Sequence, residues 1–238
     1  MNLIDIHNHS LYGVDDGAGD EKECREMLVQ SAWQGVDGII LTPHRRREMF
    51  HYPAGEIEEK FRLMQEWGRA EGIRLWLGCE YHVGPDLFGE LESHRFHTMA
   101  DSCYILTEYD PSGTFQQIEE YTQELIQRGY CPVIAHVERI GVFSREPALL
   151  RNIRDRGAMV QVNADSVLGL EGLRTAHTVK RALKEGLVDF IGSDAHNVTD
   201  RASHLGRCRE YVQKKYGKDS ADTIFCDNPL KLTQMTDR

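Results

Sequence analysis

The sequence predicts an α/β fold, a closed barrel of seven strands with helices outside it. Three observations carry this. Short apolar runs alternate with helical segments along the 238 residues, the order that builds a parallel sheet covered by helices. The runs are apolar on both faces, as in strands buried from both sides. Six of them end in a histidine or a carboxylate, namely His7, His44, Glu80, Glu108, His136 and Asp194. An open doubly wound sheet gathers functional groups at one switch point between two strands. Only a ring brings six strand ends to one small volume at its carboxyl-terminal rim.

The elements follow in order. Leu3 to Ile6 reads as a strand ending at His7. Met27, Leu28, Ala32 and Trp33 recur at helical spacing within 20–34, and Gly35 is a stop signal. Gly38 to His44 is a buried strand, and 55–71 a helix with Ile57, Phe61, Met64 and Trp67 on one side. Strands follow at Ile73 to Glu80 and Ser102 to Glu108. Gln116 to Arg128 is a helix, Cys131 to His136 a strand, and Pro147 to Arg156 a helix. Met159 to Asn163 is a strand ending in an amide. A helix within Gly172 to Gly186 leads to the last strand, Val188 to His196. A helix over roughly 201–216 and a turn into a short closing helix near Pro229 complete the chain. There is no repeat, low-complexity segment or Pro/Gly/Ser-rich linker, so residues 1–238 are expected to form one domain.

Composition narrows the function. The formal net charge is −10, which repels nucleic-acid phosphates in general. Arg45, Arg46 and Arg47 are the one compact basic cluster, directly after His44. The chain opens without the basic and apolar segments of a targeting signal. No apolar run approaches the ~18 residues of a membrane span. A soluble, cytoplasmic protein without membrane insertion is expected. The six cysteines are scattered without a Cys-x-x-Cys pair, which suggests reduced thiols and neither a zinc knuckle nor a disulfide framework. Six positions after each stand Gln30, Pro85, Tyr109, Val137, Lys214 and Leu232. None is arginine, so the Cys-x5-Arg chemistry of thiolate phosphatases is excluded. No Gly-x-Gly-x-x-Gly or P-loop opens a helix, which weakens a nucleotide-binding reading.

Chemistry concentrates in the strand ends. His7 and His9 stand one residue apart on an extended chain and share a face. A lone strand-end histidine is more often a satisfied core group than a ligand. Five in this pattern are not explained that way. His7, His9, Asp16, His44, Glu80, Glu108, His136, Asp194 and His196 exceed what one ion takes, since zinc uses about four ligands and octahedral ions about six. Nine ligands suggest two or three ions, with at least one bridging carboxylate. The absence of cysteine favours Mn²⁺ or Fe over a structural zinc. Ions a few ångströms apart activate water and clamp phosphoryl oxygens.

Several segments together resemble one family. They are Ile-Asp-Ile-His7-x-His9, Val-Asp15-Asp16-Gly17, Thr-Pro-His44-Arg-Arg, Gly78-Cys-Glu80, Glu108, Val-Ile-Ala-His136-Val-Glu138-Arg139 and Ser-Asp194-x-His196-Asn. The pattern is similar to the polymerase-and-histidinol-phosphatase (PHP) family. Within it, the likeness is to bacterial manganese-dependent protein-tyrosine phosphatases of the CpsB/CapC type, from residue 3 to about 230. The resemblance implies a distorted TIM-like (β/α)7 barrel and a metal cluster on the nine residues, with Asp16 rather than Asp15 by motif position. It implies Mn²⁺, with Fe, Co, Mg or Zn as alternatives. It implies that Arg139 and Arg201 bind the substrate phosphate, with Arg45 and Arg46 drawing in an anionic peptide. The partner it implies is the tyrosine-phosphorylated tail of a bacterial kinase controlling capsule or exopolysaccharide export. Asp194 and His196 are the candidates for a general acid. Ile140 follows Arg139 where the pattern has an aromatic residue, and 197–204 lacks the pattern's prolines.

Three other functions fit parts of the sequence. One is hydrolysis of a small phosphate ester such as histidinol phosphate. Another is a nuclease or proofreading module, against which the charge argues. The third is a catalytically silent metal-binding scaffold, against which the apparently complete ligand set argues. A homo-oligomer is left open.

Overall fold

The computed structural model describes residues 3–46, 49–50, 54–92 and 97–234. Of the residues named above, Arg47 lies outside the described ones. The strands are β1 (Leu3–Asn8), β2 (Val36–Leu41), β3 (His44–Arg45), β4 (Arg74–Leu77), β5 (Glu80–His82), β6 (Tyr104–Glu108), β7 (Cys131–Ile134), β8 (Met159–Asn163) and β9 (Phe190–Gly192). All pair in parallel, as β1-β2-β4 and as β3-β5-β6-β7-β8-β9.

Two expected strands are each broken in two. Gly38 to His44 splits at Thr42 and Pro43, and Ile73 to Glu80 splits at Gly78 and Cys79. Proline lacks the N–H that would continue a ladder. Added to Gly78, a Cβ would lie 3.0 Å from Ile40 and 3.4 Å from the Met99 Cα, so the backbones meet closely at that break. Backbone bonds carry the sheet across both breaks, from Thr42 N to Asn8 O (2.9 Å), Gly78 N to Leu41 O (2.8 Å) and Glu80 N to Pro43 O (3.1 Å). With each broken strand counted once, seven positions remain. The ring meets itself where Asp194 N donates to His7 O and His9 N to Ala195 O, both at 2.9 Å. Toward the amino-terminal end the helical turn Met99–Asp101 lies between β4 and β6 instead of a direct pairing.

The helices are α1 (Glu21–Trp33), α2 (Ala54–Ala70), α3 (Leu87–Glu92), α4 (Phe115–Gln127), α5 (Gly141–Arg145), α6 (Ala148–Asp155), α7 (Ala164–Leu168), α8 (Leu173–Lys184), α9 (Leu205–Tyr216), α10 (Lys218–Asp222) and α11 (Asn228–Thr233). Local chemistry sets their starts. Asp20 caps α1 through Glu23 N, and Thr114 with Gln117 forms a capping box on α4. The helix expected from 201 begins only at Leu205. Asn197 Oδ1 takes the N–H groups of Thr199 and Arg201 (2.9 and 3.0 Å), folding 197–201 into a turn. The expected turn before the closing helix is instead a widened helical turn, Thr223–Asp227. Pro229 brings no N–H to the turn behind it. No described helix is long and apolar enough to cross a membrane.

Apolar residues fall into two layers. Ile4, Ile6, Ile40, Leu106, Val133 and Phe190 cluster together and with Leu232 of α11. Residues from so many strands meet only inside the ring, so this cluster plugs it and leaves the carboxyl-terminal rim for polar groups. A larger cluster fills the space between sheet and helices, and Ile140 is buried within it.

Candidate metal centre

The rim holds all nine expected ligands. Ligand atoms lie within 4.8 Å of one another in four overlapping groups: His9, Asp16, His44 and His196; His7, His9 and Asp194; His7, Glu80 and His136; His44, Glu80 and Glu108. Glu80 is the hub. Its Oε2 lies 3.1 Å from His7 Nε2, 3.2 Å from His9 Nε2 and 3.1 Å from His44 Nδ1, and its Oε1 is 2.9 Å from His136 Nε2. His7 Nε2 and His9 Nε2 are themselves 3.1 Å apart.

Backbone geometry aims these side chains. His136 (φ 29°) and Asp194 (φ 54°) adopt left-handed conformations that cost a residue with a Cβ roughly 1–3 kcal/mol. Tight bonds hold both turns. His136 N donates to Gln161 Oε1 at 2.7 Å. Asp5, buried in the seam between β1 and β9, accepts from Ser193 N (2.9 Å), Ser193 Oγ (2.6 Å) and Asn8 Nδ2 (3.1 Å). Burial still pushes the Asp5 carboxyl above its usual range, against those bonds.

A second layer orients the rings. Asp15 is buried and receives His9 Nδ1, His44 N and Gly17 N, each at 2.9 Å. Asp15 and Asp16 therefore divide two tasks, with Asp15 behind His9 and Asp16 Oδ1 facing His44 and His196 at 3.5 and 3.4 Å. Gln161 Oε1 sits 3.3 Å from His7 Nδ1. Asn163 Nδ2 donates to Asp194 Oδ2 at 2.9 Å, and His82 Nδ1 lies 3.2 Å from Glu108. Such partners fix which ring nitrogen faces an ion. Gly17 permits the Asp15 turn, because a Cβ there would stand 2.0 Å from His9 O and 2.9 Å from Asp15 Oδ1. Gly17→Ala is expected to loosen metal binding and to cost about 1–3 kcal/mol of stability through overpacking. Metal titration and thermal melting check this, and an unchanged metal affinity would refute it.

The donor set suits metal ions. His44 Nδ1, Glu80 Oε2 and His196 Nε2 are buried and meet no hydrogen bond of good geometry. Their lone pairs converge instead of pairing, the arrangement a cation completes. Charge agrees. Burial works against ionising Glu80, but His7, His44 and His136 outweigh it and hold its pKa well below the usual range. Asp16, with His196 beside it, and Asp194, buried beside His7 and Arg139, are likewise held low. Glu108 is also lowered, where His82 overcomes burial. Four carboxylates gathered in a small volume are thus all pulled toward the anionic form.

Both expected arginines stand at the mouth, each partly exposed. Arg139 donates from Nη1 to Asp194 Oδ2 (2.8 Å) and from Nη2 to Glu171 Oε1 (2.5 Å). Arg201 donates to Asp16 Oδ2 at 3.2 Å and approaches Asp194 Oδ1 at 3.7 Å. Arg45 pairs with both oxygens of Glu90 at 2.9 and 3.1 Å. With Arg46 and His82 it lines an adjoining cavity of about 270 Å³. Phe50 stacks on His44 with ring centroids 5.4 Å apart.

Comparison with known proteins gives the same reading. Residues 3–234 match the family described as "Capsular polysaccharide synthesis, CpsB/CapC". The chain belongs to the CpsB/CapC family. It is 32% identical to the tyrosine-protein phosphatase CpsB of Streptococcus pneumoniae, over 97% of this chain and 98% of that one. It is 30% identical to the tyrosine-protein phosphatase YwqE of Bacillus subtilis, over 98% and 93%. Among solved structures it superposes with TM-score 0.90 and 28% identity, over 98% of this chain and 94% of the other, on work describing Bacillus YwqE and Streptococcus CpsB as unique metal-dependent tyrosine phosphatases. A histidinol phosphate phosphatase from Lactococcus lactis matches at TM-score 0.61 and 15% identity, over 91% and 94%, and shares the fold. The distorted PHP-type barrel expected from the sequence is therefore the fold of this CpsB/CapC member.

Proposed function

We propose that the chain is a metal-dependent tyrosine phosphatase of the CpsB type, linked to capsular polysaccharide synthesis. The observation that carries this is full-length membership of the CpsB/CapC family, with nine converging His, Asp and Glu ligands at the rim. At the finer level, the centre takes two or three ions, Mn²⁺ first, because its donors are imidazole and carboxylate without thiolate. The substrate is the phosphotyrosine tail of a bacterial tyrosine kinase, met in the cytoplasm.

The residues divide the work. When bound, the metal ions supply Lewis acidity and an activated water. Glu80, His7, His9, His44, His136, Glu108, Asp16, Asp194 and His196 would hold them. Arg139 and Arg201 bind the phosphoryl oxygens and neutralise charge that grows in the transition state, a task suited to the planar guanidinium fork. Asp194 has one oxygen on Arg139 and Asn163 and the other toward His7 and His9, so it acts as ligand and anchor. The leaving phenolate has a reference pKa of about 10 and needs little protonation. Asp194 and His196, the expected candidates for a general acid, both stand among the ligand groups, so the phenolate leaves without a dedicated acid.

Glu171 positions Arg139. Its other oxygen accepts a very short bond from Ser166 Oγ, so the carboxylate is itself anchored. Glu171→Ala is expected to lower kcat about 10-fold with metal content unchanged, on the scale of a misoriented catalytic group. Glu171→Gln, which keeps an acceptor, is expected to recover part of it. A Glu171→Ala enzyme with lower KM and intact kcat would make Glu171 a competitor of substrate instead.

The function is tested by loading the protein with Mn²⁺, then chelating it, with a tyrosine-phosphorylated peptide and histidinol phosphate as parallel substrates. Chelator-sensitive release from the peptide is expected. Turnover of histidinol phosphate alone would move the function to small-molecule metabolism.

A further inference from the structure

The amino-terminal ends of β6 and β7 carry a second reactive feature, remote from the metal rim. Cys103 immediately precedes β6 and Cys131 opens β7. Their Sγ atoms are 2.8 Å apart, one thiol donating to the other, and Cys131 N donates to Cys103 O at 2.8 Å. The other four cysteines, Cys24, Cys79, Cys208 and Cys226, are buried, whereas these two are only partly so. Sequence spacing hides the pair, because a whole helix, α4, separates its members. The parallel register from Tyr104 opposite Cys131 to Thr107 opposite Ile134 brings them together.

We propose that Cys103 and Cys131 form a reversible intramolecular disulfide when the protein meets a low-molecular-weight disulfide such as oxidised glutathione. A bonded pair needs sulfurs at about 2.05 Å, within a short side-chain movement of their present contact. Burial and the contact with Cys103 push the Cys131 thiol up to about 12. Either sulfur of the contact can attack first, and the exchange is the same in both orders. Where Cys103 is first, its Sγ attacks one sulfur of oxidised glutathione, and the other leaves as a thiolate that takes up a proton. Cys131 Sγ then attacks the Cys103 sulfur of the mixed disulfide and expels the second glutathione. Two protein S–H bonds and one small-molecule S–S bond are exchanged for one protein S–S bond and two glutathione S–H bonds.

The bond would close a loop around α4 and tie two strands whose far ends carry Glu108 and lead to His136. Several rungs of ladder lie between, so metal content and kcat should stay unchanged while resistance to unfolding rises. The test treats the metal-loaded protein with oxidised glutathione and maps its peptides by mass spectrometry. The expected result is a peptide pair joined through Cys103 and Cys131, two hydrogens lighter than the dithiol, cleaved by a thiol reductant, with a higher melting midpoint. Cys131→Ser is expected to stop at a stable glutathione adduct on Cys103. A persistent adduct on the wild-type protein, unreacted thiols at both positions, or joined chains instead of a joined loop would overturn the proposal. So would a lower melting midpoint in the cross-linked form.

Discussion

Glu80→Gln is expected to empty the metal centre and bring phosphatase activity below detection while the barrel stays folded. Glu80 is fully buried, and its two oxygens lie between 2.9 and 3.2 Å from four imidazole nitrogens. Glutamine keeps the volume but removes the charge and turns one oxygen into an N–H donor that no cation accepts. Two of the four ligand groups lose a member, and the His7/His9 pair loses the nearer of the two carboxylates it shares. A partner behind a ligand typically costs 10–100-fold in metal affinity when removed. Asp15→Asn is such a case, since Asp15 touches His9 Nδ1 and the His44 backbone. Glu80→Gln should therefore exceed Asp15→Asn by at least an order of magnitude. Elemental analysis of the dialysed proteins measures this, with circular dichroism reporting the fold. A Glu80→Gln protein that retains the wild-type metal complement would remove Glu80 from the centre.

The contrast between Glu80 and Asp15 shows what the sequence makes legible. Glu80 ends an apolar run, so its type and place mark it as a rim group. The same holds for His7, His44, Glu108, His136 and Asp194, and the ring of seven positions follows from them. Asp15 stands beside Asp16 in a loop, and only the fold gives the two carboxylates separate partners. Asn163 ends an apolar strand in the same way, whereas Gln161 and Glu171 reach the site from positions that nothing in their spacing marks. Glu138 belongs to a recognisable segment, but its role is structural. It is buried and accepts from Asn163 N at 2.8 Å, and burial pushes its carboxyl up. The breaks at Pro43 and Gly78 are equally hidden, since the apolar runs continue through them. Arg201 sits in a turn and not on the first turn of a helix, because the Asn197 side chain competes for its backbone.

Arg139→Ala is expected to keep the metals and the fold and to lower kcat/KM on a phosphotyrosyl peptide about 10²–10³-fold, the usual cost of removing one preorganised donor to a developing anion. The geometry explains why the loss should fall mainly on kcat. Arg139 is clamped between Asp194 and Glu171, which hold two edges of the guanidinium and leave its remaining N–H groups directed by that clamp. Burial would lower its pKa, but the two carboxylates outweigh this and raise it further, so it stays charged throughout turnover. A fixed charge that needs no reorganisation stabilises the transition state more than the ground state. Lysine cannot reproduce the clamp, because an ammonium offers no planar fork to span both carboxylates and a phosphate. Arg139→Lys should thus remain within about 10-fold of Arg139→Ala, by the same reasoning that separates oriented from merely charged donors. Steady-state kinetics beside elemental analysis decides it. Near wild-type turnover in Arg139→Ala would show that the metal ions and Arg201 alone carry the phosphoryl charge, and the role assigned to Arg139 would fall.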